Sequence, residues 1–426
     1  MGKRVLILGN GFDLAHGLPT RYSDFLYFCK KASKIYTYSS SVSLDMYIQN
    51  DLVEWEMNEY IKDVLSEAFK YRNFKIISYD ISTYEAEVIT YNKALDKLYN
   101  CIKENIWYGY FSDDLLCKSL GRNWIDFESE IRLCIKYIDE KSKYLSKRAG
   151  DLFEKGNVIG DENNNLIRYS AFKSAVLNSI KENNDVFDLR TLLYEDLKRL
   201  IQAIEIYLLL VEKMPIKLIS KDISGFYYDY IINFNYTHTY NLNKHYNNLK
   251  VDVDEPTEIF YIHGETGKKP NNMVLGIDEY WSKDERDNHT NFTIFKKFAQ
   301  RIQKKTGVDS YKWIKEINDL YKKNIAKNSN RNSAVAEVHI FGHSLDVTDK
   351  DILYDYLESE ATDVTIYCRD EATEGEYIAN VIKIIGEKRL LEKVNQYPPK
   401  LRFIIQQPMV SIEEEEKEPL TSGAAP

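Results

Sequence analysis

The stretch Arg4–Tyr22, RVLILGNGFDLAHGLPTRY, constrains the fold more than any other part of the chain. Val5 to Leu8 form an unbroken apolar run, preceded by Lys3 and Arg4 and followed by Gly9-Asn10-Gly11. A short apolar run that ends in glycines predicts a strand buried on both faces of a parallel sheet. The glycines let backbone approach a ligand, and a helix N-terminus after them offers N–H donors to an anion. The dinucleotide fingerprint places its third glycine where Leu14 stands. Here the third glycine comes later, at Gly17, followed by Leu18-Pro19. The turn is expected to cradle a phosphate in a loop of a different kind.

Composition bounds what surrounds this turn. At 426 residues and 44% hydrophobic content, the chain has room for two or three domains with cores of their own. A net charge of −9 argues against a protein that coats nucleic acid. The five cysteines are scattered, with no Cys-x-x-Cys pair, which argues against a thiolate zinc site and for reduced thiols. No apolar run approaches the roughly 18 residues of a membrane span. The chain enters its first strand at once, leaving no room for a signal peptide. A cytoplasmic location without a membrane partner is expected.

From Tyr22 almost to Gly225 the pattern is helical. Leu192, Leu193, Leu197, Leu200, Ile201, Ile204, Leu208 and Val211 make one broad stripe at helical spacing, and Pro215 stands where that helix should stop. The texture changes at Phe226. Tyr230–Asn235, Glu258–Ile262, Met273–Gly276, Ala336–Phe341, Val364–Cys368 and Arg402–Ile405 read as buried strands, and residues 292–322 as helical. Strands alternating with helices predict an α/β fold, a Rossmann-like doubly wound parallel sheet with a large all-helical insertion. The expected division is a discontinuous core (residues 1–24 and 226–410), a helical insertion (25–225) and an acidic, flexible tail (411–426).

Four polar or glycine-rich clusters directly follow predicted strands, at the sheet edge where α/β folds bind ligands. They are Gly9 to Pro19, Asn233 to Thr237, His263-Gly264 and Gly342 to Asp346. The last, GHSLD, mimics the nucleophile elbow of a serine hydrolase. That elbow needs glycine two residues after the serine, where Asp346 stands, and a histidine later in the chain, where none follows His343.

The interval Gly9-x-Gly11-x5-Gly17-Leu18-Pro19 resembles the nucleotide loop of the sirtuin (Sir2-like) superfamily. Asn235-Tyr236, His263-Gly264 and Gly342-x-Ser344-Leu345 are similar to its other core motifs, in the same order along the chain. More narrowly, GNGFDLAHGLPT with NFNYT, YIHG and GHSL resembles the bacteriophage abortive-infection AbiH family, which the helical insert with Trp124-Ile125-Asp126-Phe127-Glu128 also fits. The four paired cysteines of a sirtuin zinc module are absent, so the resemblance implies NAD+ as substrate or ligand, without a metal, rather than deacetylation.

The resemblance implies an anti-phage NAD+ glycohydrolase (NADase) with Asn235, His263 and Asp13 as catalytic residues. Cleaving the nicotinamide–ribose bond needs a positioned amide and a base more than a strong nucleophile. Gly9, Asn10, Gly11, Phe12, Gly17, Pro19, Thr20, Gly342, Ser344 and Asp346 are the expected nucleotide-binding residues, with Asp126 and Glu128 accessory to the pocket. His16 and His343 are expected to pack or donate hydrogen bonds, and His238, His245, His289 and His339 to be structural or exposed. The expected partners are the nucleotide, a phage or host trigger and a second copy of the chain. Two other function classes stay open. One is a non-catalytic NAD or ADP-ribose sensor. The other is an RNA-directed toxin using basic pairs such as Lys296-Lys297 and Lys304-Lys305.

Overall fold

A computed structural model describes residues 2–37, 44–47, 59–74, 83–119, 127–140, 162–179, 189–247, 257–277, 292–307, 310–326 and 335–415. The chain divides into two compact units. The first comprises Met1–Leu18, Met214–Glu265 and Arg301–Pro426; the second comprises Pro19–Lys213 and Thr266–Gln300.

The first unit is built on a six-stranded sheet. Its strands are β1 (Lys3–Leu8), β3 (Tyr230–Asn233), β4 (Glu258–Tyr261), β5 (Ala336–Phe341), β6 (Thr362–Cys368) and β7 (Leu401–Ile405), while β2 (Leu218–Ile219) and β8 (Val410–Ser411) form a separate antiparallel ribbon. The large sheet has the order β4-β3-β1-β5-β6-β7 and every pairing is parallel. Counted along the chain within that sheet, the order is 3-2-1-4-5-6, that of doubly wound dinucleotide-binding folds. The winding reverses between β1 and β5, so the crevice at their carboxyl ends is the topological switch point.

Why β1 is central follows from its sequence. Val5, Leu6, Ile7 and Leu8 are all 0% exposed. Successive strand residues point to opposite faces. Val5 and Ile7 enter one core with Ile232, Val338, Ile340, Val364 and Ile366, and Leu6 and Leu8 enter another with Phe12, Ile231, Phe341 and Tyr367. Burying each such aliphatic side chain contributes about 1.5–3 kcal/mol, which only a strand covered on both faces can collect. The first core is covered by the helices Ser310–Ala326, Lys350–Glu358, Glu371–Ile385 and Glu387–Asn395. The second is covered by shorter pieces, among them α1 (Asn10–Ala15).

The second unit is mainly helical. Its helix Leu189–Val211 buries most of the stripe read from the sequence, with Leu192 only half-buried. One buried position in it is polar: Asp196 accepts hydrogen bonds from the Ile106 amide (2.7 Å) and from Arg199 (2.8 Å). It thereby satisfies an open N–H at the start of the helix Ile106–Phe111.

Three expectations need correction. Met273–Gly276 is buried but is not a strand; only Ile277 makes an isolated bridge, to Lys296. The packing is too close for a ladder partner with side chains, since a Cβ on Gly276 would lie 2.2 Å from the Phe295 carbonyl oxygen. The helical stretch 292–322 is interrupted at Lys305 and Gly307, both with positive φ. Position 411 does not open a free tail: Ser411 pairs in the β2–β8 ribbon and the Ile412 amide donates to the Lys217 carbonyl (2.9 Å), because Val410 and Ile412 pack on the second core. Residues 416–426 lie outside the described residues.

The turns that follow β1 and β5 are in backbone contact. The Gly11 amide donates to the Gly342 carbonyl (2.7 Å) and the Gly9 amide to the Phe341 carbonyl (3.2 Å). A Cβ on Gly9 would meet the His343 Cα at 2.4 Å, and one on Gly342 would meet the Phe12 nitrogen at 2.2 Å. Gly342 also has φ +68°, a conformation that L side chains resist. Gly17, by contrast, has φ +77° but open space around it. Gly342→Ala is therefore expected to lower unfolding stability by about 3 kcal/mol or more, and Gly17→Ala by about 1 kcal/mol. Urea denaturation of both variants checks this, and equal losses would contradict the contact.

Candidate functional site

The four clusters singled out in the sequence fall at the carboxyl ends of four consecutive strands, β4, β3, β1 and β5. Adjacent parallel strands in register bring their following turns side by side. The turn after β3 is tied down first. The Asn235 amide donates to the Asn233 side chain (2.9 Å), whose own Nδ2 donates to the Thr237 carbonyl (3.3 Å). Asn235 Nδ2 then reaches across to the Gly9 carbonyl (3.0 Å). With Nδ2 committed to a carbonyl, Oδ1 is the side chain's acceptor. Asn235 is only 5% exposed.

Asp13 is buried in the middle of α1, where its carboxylate accepts a short hydrogen bond (2.6 Å) from the Thr237 hydroxyl. The Thr239 hydroxyl donates in turn to Thr237 (3.1 Å). Thr237 is thus the donor a buried carboxylate requires. Asp13 thereby links the β1 and β3 turns.

Gly17 is placed by local folding. The Gly17 amide donates to the Leu14 carbonyl (3.0 Å) and the Leu18 amide to the Asp13 carbonyl (3.1 Å). That bond pair, with glycine at positive φ and a buried leucine after it, is a Schellman cap on a six-residue helix. The late Gly17-Leu18 is therefore accounted for by helix termination. The amides of Gly9 and Gly11 are likewise committed to the β5 turn, so the phosphate cradle expected of them is not formed here. Phe12 is a core residue and not a ligand contact: its ring packs against His16, Tyr240, Tyr246 and Phe341. Asn10 and Ser344 are exposed at the two turns, and Asn380 Nδ2 donates to the Ser344 carbonyl (3.0 Å). Asp346 is exposed and its Oδ1 accepts from the Thr348 amide (2.9 Å).

His263 follows β4 and is 6% exposed. Its Nε2 lies 3.1 Å from Oδ1 of Asp349, a residue the sequence reading missed. Asp349 gave no motif to find it by; it is one acid among the 66 Asp and Glu of the chain. His343 Nε2 lies 3.6 Å from the other carboxylate oxygen, within electrostatic reach but beyond a hydrogen bond. The Phe234 ring stands edge-on to both imidazoles, with centroids 5.5 Å from His263 and 4.3 Å from His343. The Leu345 amide donates to His343 Nδ1 (2.9 Å), so the neutral His343 carries its proton on Nε2. Two histidines and a carboxylate in this arrangement suggest a metal site. A ring whose Nδ1 accepts from backbone has no lone pair on Nε2 to give a metal, however, and no metal-ligating group of three or more side chains occurs among the described residues. At the next strand end, burial pushes the Cys368 thiol up to about 11, which leaves it a poor nucleophile.

The other expected residues belong to the second unit or lie outside the described residues. Pro19 and Thr20 belong to the second unit, where the Pro19 carbonyl accepts from the Tyr207 hydroxyl (2.7 Å). Asp126 lies outside the described residues, whereas Glu128 forms a 2.7 Å ion pair with Lys297 in that same unit. Lys296 and Lys297 are both buried, so this pair is not the basic surface that an RNA-directed reading requires.

His16 and His339 are structural. His16 Nδ1 donates to the Phe12 carbonyl (2.7 Å) and Nε2 accepts from the Tyr246 hydroxyl (2.8 Å), which itself accepts from the Ser220 amide (2.9 Å). His339 Nδ1 is 2.7 Å from the Tyr228 hydroxyl. Burial lowers both imidazoles to about 4. In the unfolded chain each titrates near 6.5 and binds its proton first, so their contribution to stability is complete above about 6.5 and is lost as pH falls toward 4. Proton NMR should show both rings neutral and unshifted from pH 7 down to 5.5. A midpoint near 6.5 for either would contradict the packing.

Among the described residues no helix is long and apolar enough to cross a membrane. No curated protein and no solved structure matches the chain. A family model described as bacteriophage abortive infection AbiH matches residues 5–368. With most of its length inside that match, the chain belongs to the bacteriophage abortive infection AbiH family.

Proposed function

We propose that the protein acts in anti-phage abortive infection by hydrolysing NAD+ at the nicotinamide–ribose bond, on a Sir2-like nucleotide-binding core. The observation that carries this reading is the convergence of Asn235 and His263 at neighbouring strand ends, beside the switch point of a 3-2-1-4-5-6 sheet. Asn235 Oδ1 orients water or a ribose hydroxyl. The water oxygen bonds to the ribose carbon as the carbon–nitrogen bond breaks, nicotinamide leaves with the electron pair, and the water proton passes to His263. ADP-ribose and nicotinamide are the products. The exposed Asn10 and Ser344, rather than the committed glycine amides, contact the diphosphate, and Asp346 suits a ribose hydroxyl better than an anion.

A second reading is a nucleotide sensor without turnover. The deep burial of His263 and Asn235 favours it, and on the first reading the same burial marks a resting state that a phage or host trigger must open. The purified protein, with and without extract from phage-infected cells, is incubated with NAD+ while nicotinamide release is followed. Turnover is expected with infected extract, falling at least about 100-fold in His263→Ala. Equal NAD+ loss in wild type and His263→Ala would rule out the assigned base. ADP-ribose binding without turnover would establish the sensor.

A further inference from the structure

We propose that Asp349 is a positioning residue, whose carboxylate fixes His263 in the tautomer that carries its proton on Nε2 and leaves Nδ1 as the basic atom. The inference rests on reading His263 as the base of the site. Three features of the β5 turn support it.

First, Asp349 is the N-cap residue of the helix Lys350–Glu358, yet its side chain makes no capping hydrogen bond. An aspartate at that position ordinarily accepts from an amide of the first turn. Here Oδ1 is turned to His263 Nε2 at 3.1 Å instead. An ionised carboxylate can only accept, so the ring nitrogen facing it carries the proton. The positive end of the nine-residue helix favours the negative charge at this place.

Second, His343 lies within electrostatic reach of the other oxygen of the same carboxylate. Its Nδ1 accepts from the Leu345 amide, which leaves the proton of the neutral ring on Nε2, 3.6 Å from Asp349 Oδ2. The carboxylate thus has an imidazole nitrogen near each of its two oxygens. Phe234 packs edge-on against both rings.

Third, the turn that presents Asp349 is held in an uncommon conformation. Leu345 is fully buried at φ +57°, where a leucine is rarely found. The Asp349 amide donates to the Asp346 carbonyl (3.2 Å), and Asp346 Oδ1 takes the Thr348 amide. Such strain persists only where the surroundings over-determine it.

The tautomer is directly observable. Protein labelled with nitrogen-15 in histidine alone is studied by long-range proton–nitrogen NMR at neutral pH, with the His263 ring identified by its loss in His263→Gln. The expected wild-type spectrum has Nε2 protonated and Nδ1 unprotonated. In Asp349→Asn, which keeps the side-chain shape, the ring should become a mixture of both tautomers, and NAD+ turnover should fall on the order of a hundredfold in kcat with KM little changed. A wild-type ring protonated on Nδ1 would overturn the proposal without any variant. An unchanged tautomer in Asp349→Asn would overturn it as well. The expected tautomers with no NAD+ turnover by any form would uphold the positioning of His263 while removing the NAD+ reading, so the two failures are separable.

Discussion

The first unit depends on a backbone contact that side chains would forbid. The turns after β1 and β5 touch through Gly9, Gly11 and Gly342, and at each of these positions a Cβ would lie within 3 Å of backbone on the facing turn. The contact sits at the switch point, where β1 and β5 are neighbours although more than 300 residues separate them in sequence. It fixes the Gly9 carbonyl to which Asn235 is bound, and it sets the start of the turn that carries His343, Leu345 and Asp349. Site geometry is in this sense a consequence of packing between two loops.

Two buried carboxylates then organise the polar groups around that contact. Asp13 is answered by the Thr237 hydroxyl and Asp349 by the His263 imidazole. Burying an ionised group is costly unless donors meet it. Each acid therefore specifies its neighbours: one joins the β1 turn to the β3 turn, and the other joins the β5 turn to the turn after β4. Four strand ends become one connected polar layer, resting on a sheet whose two apolar faces are separately packed. This arrangement gives the proposed base and the proposed amide fixed orientations before any nucleotide arrives, which is the preorganisation that hydrolysis of a good leaving group needs.

Much of this was legible in the sequence, for physical reasons that differ between elements. The strand β1 carries an uninterrupted apolar run, Val5–Leu8, because both faces of a central parallel strand are buried, and such a run has few other interpretations. The strands β5 and β6 are legible by their apolar residues despite Glu337, His339, Asp363 and Thr365 between them. The long stripe of Leu189–Val211 was legible for the same kind of reason at helical period. The ribbon Leu218–Ile219 with Val410–Ser411 was not, since two residues carry no period. Met273–Gly276 reads as a strand because burial alone selects its composition. The glycine pattern reads as a ligand loop, whereas Gly17 ends a helix and Gly9, Gly11 and Gly342 admit one another. Asp349 was out of reach, because only the β4 and β5 turns brought together make it the partner of His263.

The proposed nucleotide meets the carboxyl edge of this sheet beside the β1 and β5 turns. Hydrogen–deuterium exchange of the full chain, in extract from phage-infected cells, with and without saturating NAD+ tests it most directly. Slower exchange confined to the amides around residues 9–18, 233–238, 263–265 and 342–350 is the predicted result. Protection absent from all four segments, or restricted to the helical unit, would contradict it.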